Sequence, residues 1–261
     1  MGINWTPSAA VQKAIIGSIV LAVAYLLKSH YSRATSEDLI WIIGPVACLV
    51  ELFSDLDFVH EPGYGWVDFE HDVVIAPACA GVNFYIIAFC MSAFQLTHRI
   101  HPFFKTLTRI LIAGFLSYIV TILANVMRIL LSSYCYDIEF HSSWLTTDEV
   151  HRIVGTCIFY LLLFSYSRAI SAWADRQAPD HRNDHARIPI TRLLIYFVPL
   201  LWYLAFSLGV PLANQAFQVN PEMFVRHALH VVVVTVVLTL VCITSHYLII
   251  RSRTMSPPPI L

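Results

Sequence analysis

The chain has 261 residues, of which 57% are hydrophobic and 13% charged. Soluble globular domains carry about 25% charged residues, so this composition excludes an ordinary soluble fold. Long apolar runs recur along the whole length, and the expectation is an all-α, polytopic transmembrane helical bundle forming a single integral-membrane domain over residues 1–261. The formal net charge of −1 decides nothing by itself. The six cysteines form no CxxC pair and mostly lie in apolar runs, which argues against a disulfide framework and against a zinc site.

Seven spans are read, at about 10–27, 39–53, 77–94, 107–134, 153–172, 193–212 and 229–250. The first is too long, and lacks the basic leading region, for a cleavable signal peptide. The second is short for a bilayer. The stretch 54–76 leaves room for an eighth, re-entrant element. It holds Asp55, Asp57, Glu61, Asp68, Glu70 and Asp72 with no Lys or Arg, and reads as a solvated acidic face; its spacing matches no metal site. The segment 173–192 reads as a polar loop or short amphipathic helix, and the end from Ser256 as a tail.

Orientation follows from Lys and Arg in the connections. Segments 28–38, 95–109, 167–192 and the tail hold twelve of them. The alternate connections hold three, Lys13, Arg152 and Arg226. The sequence therefore predicts the N-terminus and segments 54–76, 135–152 and 213–228 outside, and the C-terminus in the cytoplasm.

Within this frame, Asp72 to Asn83 carries Cys79 where the acidic loop enters the third span. Pro77 suits the first position of a helix, which would put Cys79 in the first turn. Free N–H groups and the macrodipole there favour a thiolate. Taken alone, Cys79 equally fits a small buried core residue. Span four carries Asn125 and Arg128, three apart and so on one helical face. An arginine inside a span marks a functional site by default, with snorkelling to the interface as the bland alternative. Span five opens on Glu149, His151 and Arg152, and His151 can take and return a proton near neutral pH. Alternating spans bring Cys79, Arg128 and His151 to one shallow layer at the outer face. There, Cys and His make a nucleophile and its base, and Arg stabilises an oxyanion or holds a carbonyl or carboxylate. No cofactor is required.

Pro77-Ala78-Cys79-Ala80-Gly81, Asn125-Val126-Met127-Arg128-Ile129 and His151-Arg152-Ile153-Val154-Gly155, in that order on successive spans, resemble the exosortase/archaeosortase family over its catalytic core, about 70–160. The family usually reads Cys-Ser-Gly where this chain has Cys79-Ala80-Gly81, and usually has eight spans. Its third catalytic position is His in bacterial members and Arg in archaeal ones, which singles out His151 with Arg152 as the alternative. The resemblance implies a cysteine protease or transpeptidase of the bacterial cytoplasmic membrane, with Cys79, Arg128 and His151 catalytic and Gly81, Asn125 and Arg152 in support. Its substrates would be exported proteins ending in a short motif, a membrane span and a basic end, cut at the outer face; an acceptor molecule would take the new C-terminus. No nucleic-acid partner is expected.

A rival from another class is a transporter or channel in which Arg128 binds an anion. Haem binding by His227, His230 and His246 is disfavoured, because residues 230 and 246 lie near opposite ends of one helix.

Overall fold

The computed structural model describes residues 8–97, 102–137, 147–176 and 189–255. The chain divides into two compact units, Met1–Asp180 and His181–Leu261. The first contains α1 (Ala9–Tyr31), a 3₁₀ turn (Glu37–Leu39), α2 (Ile40–Phe53), strands β1 (Val59–Glu61), β2 (Gly65–Asp68) and β3 (Val73–Ile75), a second 3₁₀ turn (Pro77–Cys79), α3 (Val82–Thr97), α4 (Phe103–Asp137) and α5 (Thr147–Arg176). The second contains α6 (Pro189–Leu204), a π-helical turn (Ala205–Gly209), α7 (Val210–Ala213), α8 (Ala216–Val219) and α9 (Pro221–Met255).

Among the described residues, six helical segments are long and apolar enough to cross a membrane: Ala10–Tyr31, Pro77–Thr97, Phe104–Tyr134, Glu149–Arg176, Ile195–Ala213 and Pro221–Leu248. The expected span at 39–53 is not among them. Its 14-residue helix reaches about 21 Å at 1.5 Å per residue, short of a hydrocarbon core of about 30 Å. Nor does 54–76 form a re-entrant helix; it folds into a small antiparallel sheet of order β1-β2-β3.

The first unit is a bundle of α1, α3, α4 and α5. Helix α1 starts at Ser8, whose hydroxyl accepts from Val11 N. Its Gly17 faces Phe94 near the end of α3, while Lys28 Nζ donates to Asn83 Oδ1 (2.8 Å) near the start of α3. Helices α1 and α3 are therefore antiparallel. A crossing α2 between them would have made them parallel, so the geometry and the short length of α2 agree. Helix α3 is the central element, buried along nearly its whole length, which accounts for apolar residues on all its faces.

In lipid, apolar contact alone gives helices little reason to associate, and polar contacts and close packing do that work. Ser92 Oγ lies 3.2 Å from Ser117 Oγ, which lies 3.1 Å from Tyr166 Oη, linking α3, α4 and α5. Gln95 Nε2 donates to Ser167 Oγ at 2.7 Å. Gly114 of α4 faces Tyr85 and Phe89 of α3. Helix α2 joins through Tyr118 Oη, which donates to Trp41 O (2.6 Å) while the two rings stack.

The sheet beside α2 is held by carboxylates that accept from backbone N–H groups. Glu37 Oε1 accepts from Gly63 N (2.8 Å) at the hairpin tip, and Glu51 Oε1 from Phe58 N (2.9 Å) at the other end. Gly65 has φ +123°, and a Cβ there would collide with the Ile75 carbonyl. Asp68 is only 1% exposed, so the acidic stretch is not simply a solvated face. Its carboxylate accepts from Asp57 N (2.7 Å), Glu70 N (2.9 Å) and His71 N (2.8 Å), and lies 3.2 Å from His71 Nδ1. Burial pushes the Asp68 pKa up, but the N–H donors of His71 and Asp57 outweigh it, and the net shift is downward. Glu37 is held at about 2 by its own backbone N–H and that of Gly63.

In the second unit, Thr235 and Thr239 turn their hydroxyls back to the carbonyls of Val231 and Thr235 (2.7 Å each). This satisfies polar groups inside an apolar helix.

Asp68→Ala strands three N–H groups, each worth on the order of 1–3 kcal/mol when buried. Limited proteolysis of the purified protein is expected to cut within 54–76 in this variant and spare it in the wild type. Because the Asp68 pKa is lowered on folding, its contribution is complete above the ordinary aspartate value of 3.8. It fades as pH falls below that value, so wild-type protection should weaken there.

Candidate functional site

Strand β3 delivers the chain to Cys79. Ala76 is extended (φ −78°, ψ 164°), Pro77 takes the first position of the 3₁₀ turn as its missing N–H favours, and Cys79 N donates to Ala76 O (2.8 Å). Ala80 N donates to Pro77 O (3.1 Å), and Gly81 at φ +72° then redirects the chain into α3, whose first bond is Tyr85 N to Gly81 O (3.0 Å). Cys79 therefore lies on a separate turn ahead of the helix. The expectation of a thiol in the first turn of a long helix, facing its macrodipole, is not met, because Gly81 breaks the helical path.

The turn is fastened from α4. Asn125, 1% exposed, donates through Nδ2 to the Cys79 carbonyl at 2.9 Å. The fit needs a glycine beside it, since a Cβ on Gly81 would sit 2.6 Å from Asn125 Nδ2. Asn125 Oδ1 is buried and has no hydrogen-bond partner among the described residues. Such an orphan costs about 1–3 kcal/mol.

Arg128 stands one turn further along α4. Its guanidinium carbon lies 5.5 Å from the centre of the Phe159 ring, and Nη2 is 3.1 Å from His151 Nε2. Gly155 opens the space, since a Cβ there would be 3.2 Å from Arg128 Nε. Arginine has no acceptor, so in this contact Arg128 donates and His151 Nε2 accepts. Arg128 thus reaches across to α5, and its head is fixed rather than loose in an interface. Arg152 is exposed, and among the described residues no hydrogen bond or ion pair joins it to Arg128. No hydrogen bond joins the half-buried Cys79 thiol to His151 among the described residues. The structure gathers Cys79, Gly81, Asn125, Arg128 and His151 at one end of the bundle through two contacts made from α4, Asn125 to the Cys79 carbonyl and Arg128 to His151, without a direct thiol–imidazole bond.

Two residues at this end escaped the sequence reading. Tyr31 Oη donates to Pro77 O at 3.4 Å, and Lys28 Nζ sits 5.2 Å from the centre of the Tyr31 ring while tied to Asn83. Tyr31 also interacts electrostatically with both Cys79 and Arg128. Counting 39–53 as a span assigned residues 28–38 to the opposite face. The shortness of that segment was the signal that could have found them.

Among the described residues, no group of three His, Cys, Asp or Glu side chains is placed to hold a metal ion. No family model, curated protein or solved structure matches the chain.

Gly81→Ala is expected to destabilise the protein, by about 1–2 kcal/mol for the left-handed backbone alone and more for the collision with Asn125. The double variant Gly81→Ala/Asn125→Ala should recover part of the loss, because the two positions share one space. Thermal unfolding in detergent reads both, and strictly additive losses would contradict the contact.

Proposed function

We propose that the chain is an exosortase-like membrane cysteine protease or transpeptidase that cuts C-terminal sorting signals of exported proteins. The observation that carries this reading is the convergence of Cys79, Asn125, Arg128 and His151 from the Cys79 turn, α4 and α5 at one end of a membrane bundle. The motif resemblance and the chemistry of a thiol, an imidazole and a guanidinium at one level support it.

In this reading the Cys79 sulfur attacks the scissile carbonyl, the tetrahedral intermediate expels the amine, and an acyl thioester remains until water or an acceptor amine takes the acyl group. His151 receives the thiol proton and returns it to the leaving amine. At rest, Arg128 occupies the His151 Nε2 lone pair. A substrate carbonyl or carboxylate that engages the guanidinium frees that lone pair for the thiol, so binding and base release are coupled. Asn125 keeps the nucleophile's backbone fixed meanwhile.

The cut falls at the extracytoplasmic face of the cytoplasmic membrane. In this reading, with six crossings and an antiparallel α1 and α3, residues 28–76 share the outer side with 135–152, and the N-terminus shares the cytoplasmic side with the tail. The Lys and Arg count supports this arrangement. Eleven fall inside (Lys13, Arg99, Lys105, Arg109, Arg168, Arg176, Arg182, Arg187, Arg192, Arg251, Arg253) against four outside (Lys28, Arg33, Arg152, Arg226). An Arg33→Cys variant should therefore react with a membrane-impermeant thiol reagent in intact cells, as Asp57→Cys should, whereas a seven-span chain would protect position 33.

Two substitutions test the chemistry. Cys79→Ala should leave exported proteins uncut, with their C-terminal spans retained, as read by intact mass of the membrane fraction. Arg128→Lys should lose most of the processing, because an ammonium keeps the charge but not the forked, planar donor set. An anion transporter would tolerate both changes far better, and normal processing by Cys79→Ala would remove the enzyme reading.

A further inference from the structure

The N–H groups of Cys79 and Ala80 are already spent in this site. In acyl transfer, the nucleophile's own N–H is a frequent donor to the oxyanion. Here Cys79 N is committed to Ala76 O at 2.8 Å and Ala80 N to Pro77 O at 3.1 Å. The Asn125 Nδ2 donor is committed to the Cys79 carbonyl at 2.9 Å, and Arg128 Nη2 to His151. A second donor beside the Arg128 guanidinium would share the charge that develops on the oxyanion.

Tyr31 suits that role. It closes α1, and its hydroxyl reaches the turn that carries Cys79. Its bond to Pro77 O is 3.4 Å, well beyond the usual 2.7–2.8 Å for O–H···O, so the proton can be redirected at little cost. Lys28, anchored on Asn83 Oδ1, places its ammonium 5.2 Å from the centre of the Tyr31 ring. This contact fixes the ring's orientation, which suits a donor that must be in place before charge appears.

We propose that the Tyr31 hydroxyl donates to the oxyanion formed when the Cys79 thiolate adds to a carbonyl carbon, with Lys28 holding the ring in place. This rests on the cysteine acyl-transfer reading above. A sulfur electron pair forms the C–S bond, the carbonyl π pair moves to oxygen, and Tyr31 donates to that oxygen without transferring its proton. Collapse restores the carbonyl and expels the leaving group.

The test compares two small probes on full-length protein in detergent, with modification of Cys79 followed by mass of the Cys79 peptide. Acylation by p-nitrophenyl acetate passes through a tetrahedral oxyanion and releases p-nitrophenolate. Alkylation by iodoacetamide displaces iodide directly and forms none, so it reports thiolate content and access. Tyr31→Phe should slow acylation toward the ~100-fold loss typical of one oxyanion donor, while alkylation stays within about twofold. Lys28→Met should slow acylation less, again with alkylation retained. Equal slowing of both reactions would make Tyr31 a merely structural contact and overturn the proposal, as would unchanged acylation. Wild-type Cys79 that is alkylated but never acylated would instead overturn the acyl-transfer reading itself.

Discussion

A single buried carboxamide fixes the geometry of this site. Asn125 reaches from α4 to the carbonyl of Cys79, and only a glycine at position 81 leaves room for it. The position of Cys79 on its turn is therefore set by a neighbouring helix, not by the helix that follows it. Arg128 continues along α4 toward α5, and Gly155 provides the space that lets it meet His151 and Phe159. Three helices from distant parts of the chain meet because two glycines permit close approach at the polar residues. The orphaned Asn125 Oδ1 carries a cost at this one place, which suits a site organised for a guest.

The rest of the first unit supports that end of the bundle. The Ser92–Ser117–Tyr166 chain and the Gln95–Ser167 bond register α3, α4 and α5, so the levels of Cys79, Arg128 and His151 are set by contacts deeper in the bundle. Above, the small sheet uses Glu37, Glu51 and Asp68 to satisfy backbone N–H groups, and β3 runs directly into the Cys79 turn. The acidic character of 54–76 is thus partly structural.

Much of this was legible in the sequence. Apolar length alone placed α3, α4 and α5, and their alternation brought Cys79, Asn125, Arg128 and His151 to one level. Two things were hidden. Ile40–Phe53 is as apolar as a span, yet it buries one face against the sheet and α4, and hydropathy cannot distinguish a protein partner from lipid. The charge asymmetry does not separate the two topologies, because moving α1 to the opposite orientation changes the Lys and Arg count by only one. Pro77 correctly announced a helical start, but Gly81, read only as part of a motif, ends that turn through its positive φ. Tyr31 and Lys28 carried no signal of their own, since a Lys and a Tyr at the end of a span are ordinary interfacial residues.

The central claim is that Cys79 carries an acyl group from a protein substrate. The most direct measurement is intact mass of the protein purified rapidly at mild acid pH from the cells that make it, followed by treatment with neutral hydroxylamine. The account predicts a hydroxylamine-labile adduct on the Cys79 peptide whose mass matches the truncated C-terminus of an exported protein, and no such adduct on Cys48, Cys90, Cys157 or Cys242. Adducts spread over those cysteines without preference, or a Cys79 that stays free while exported proteins are cut, would contradict it.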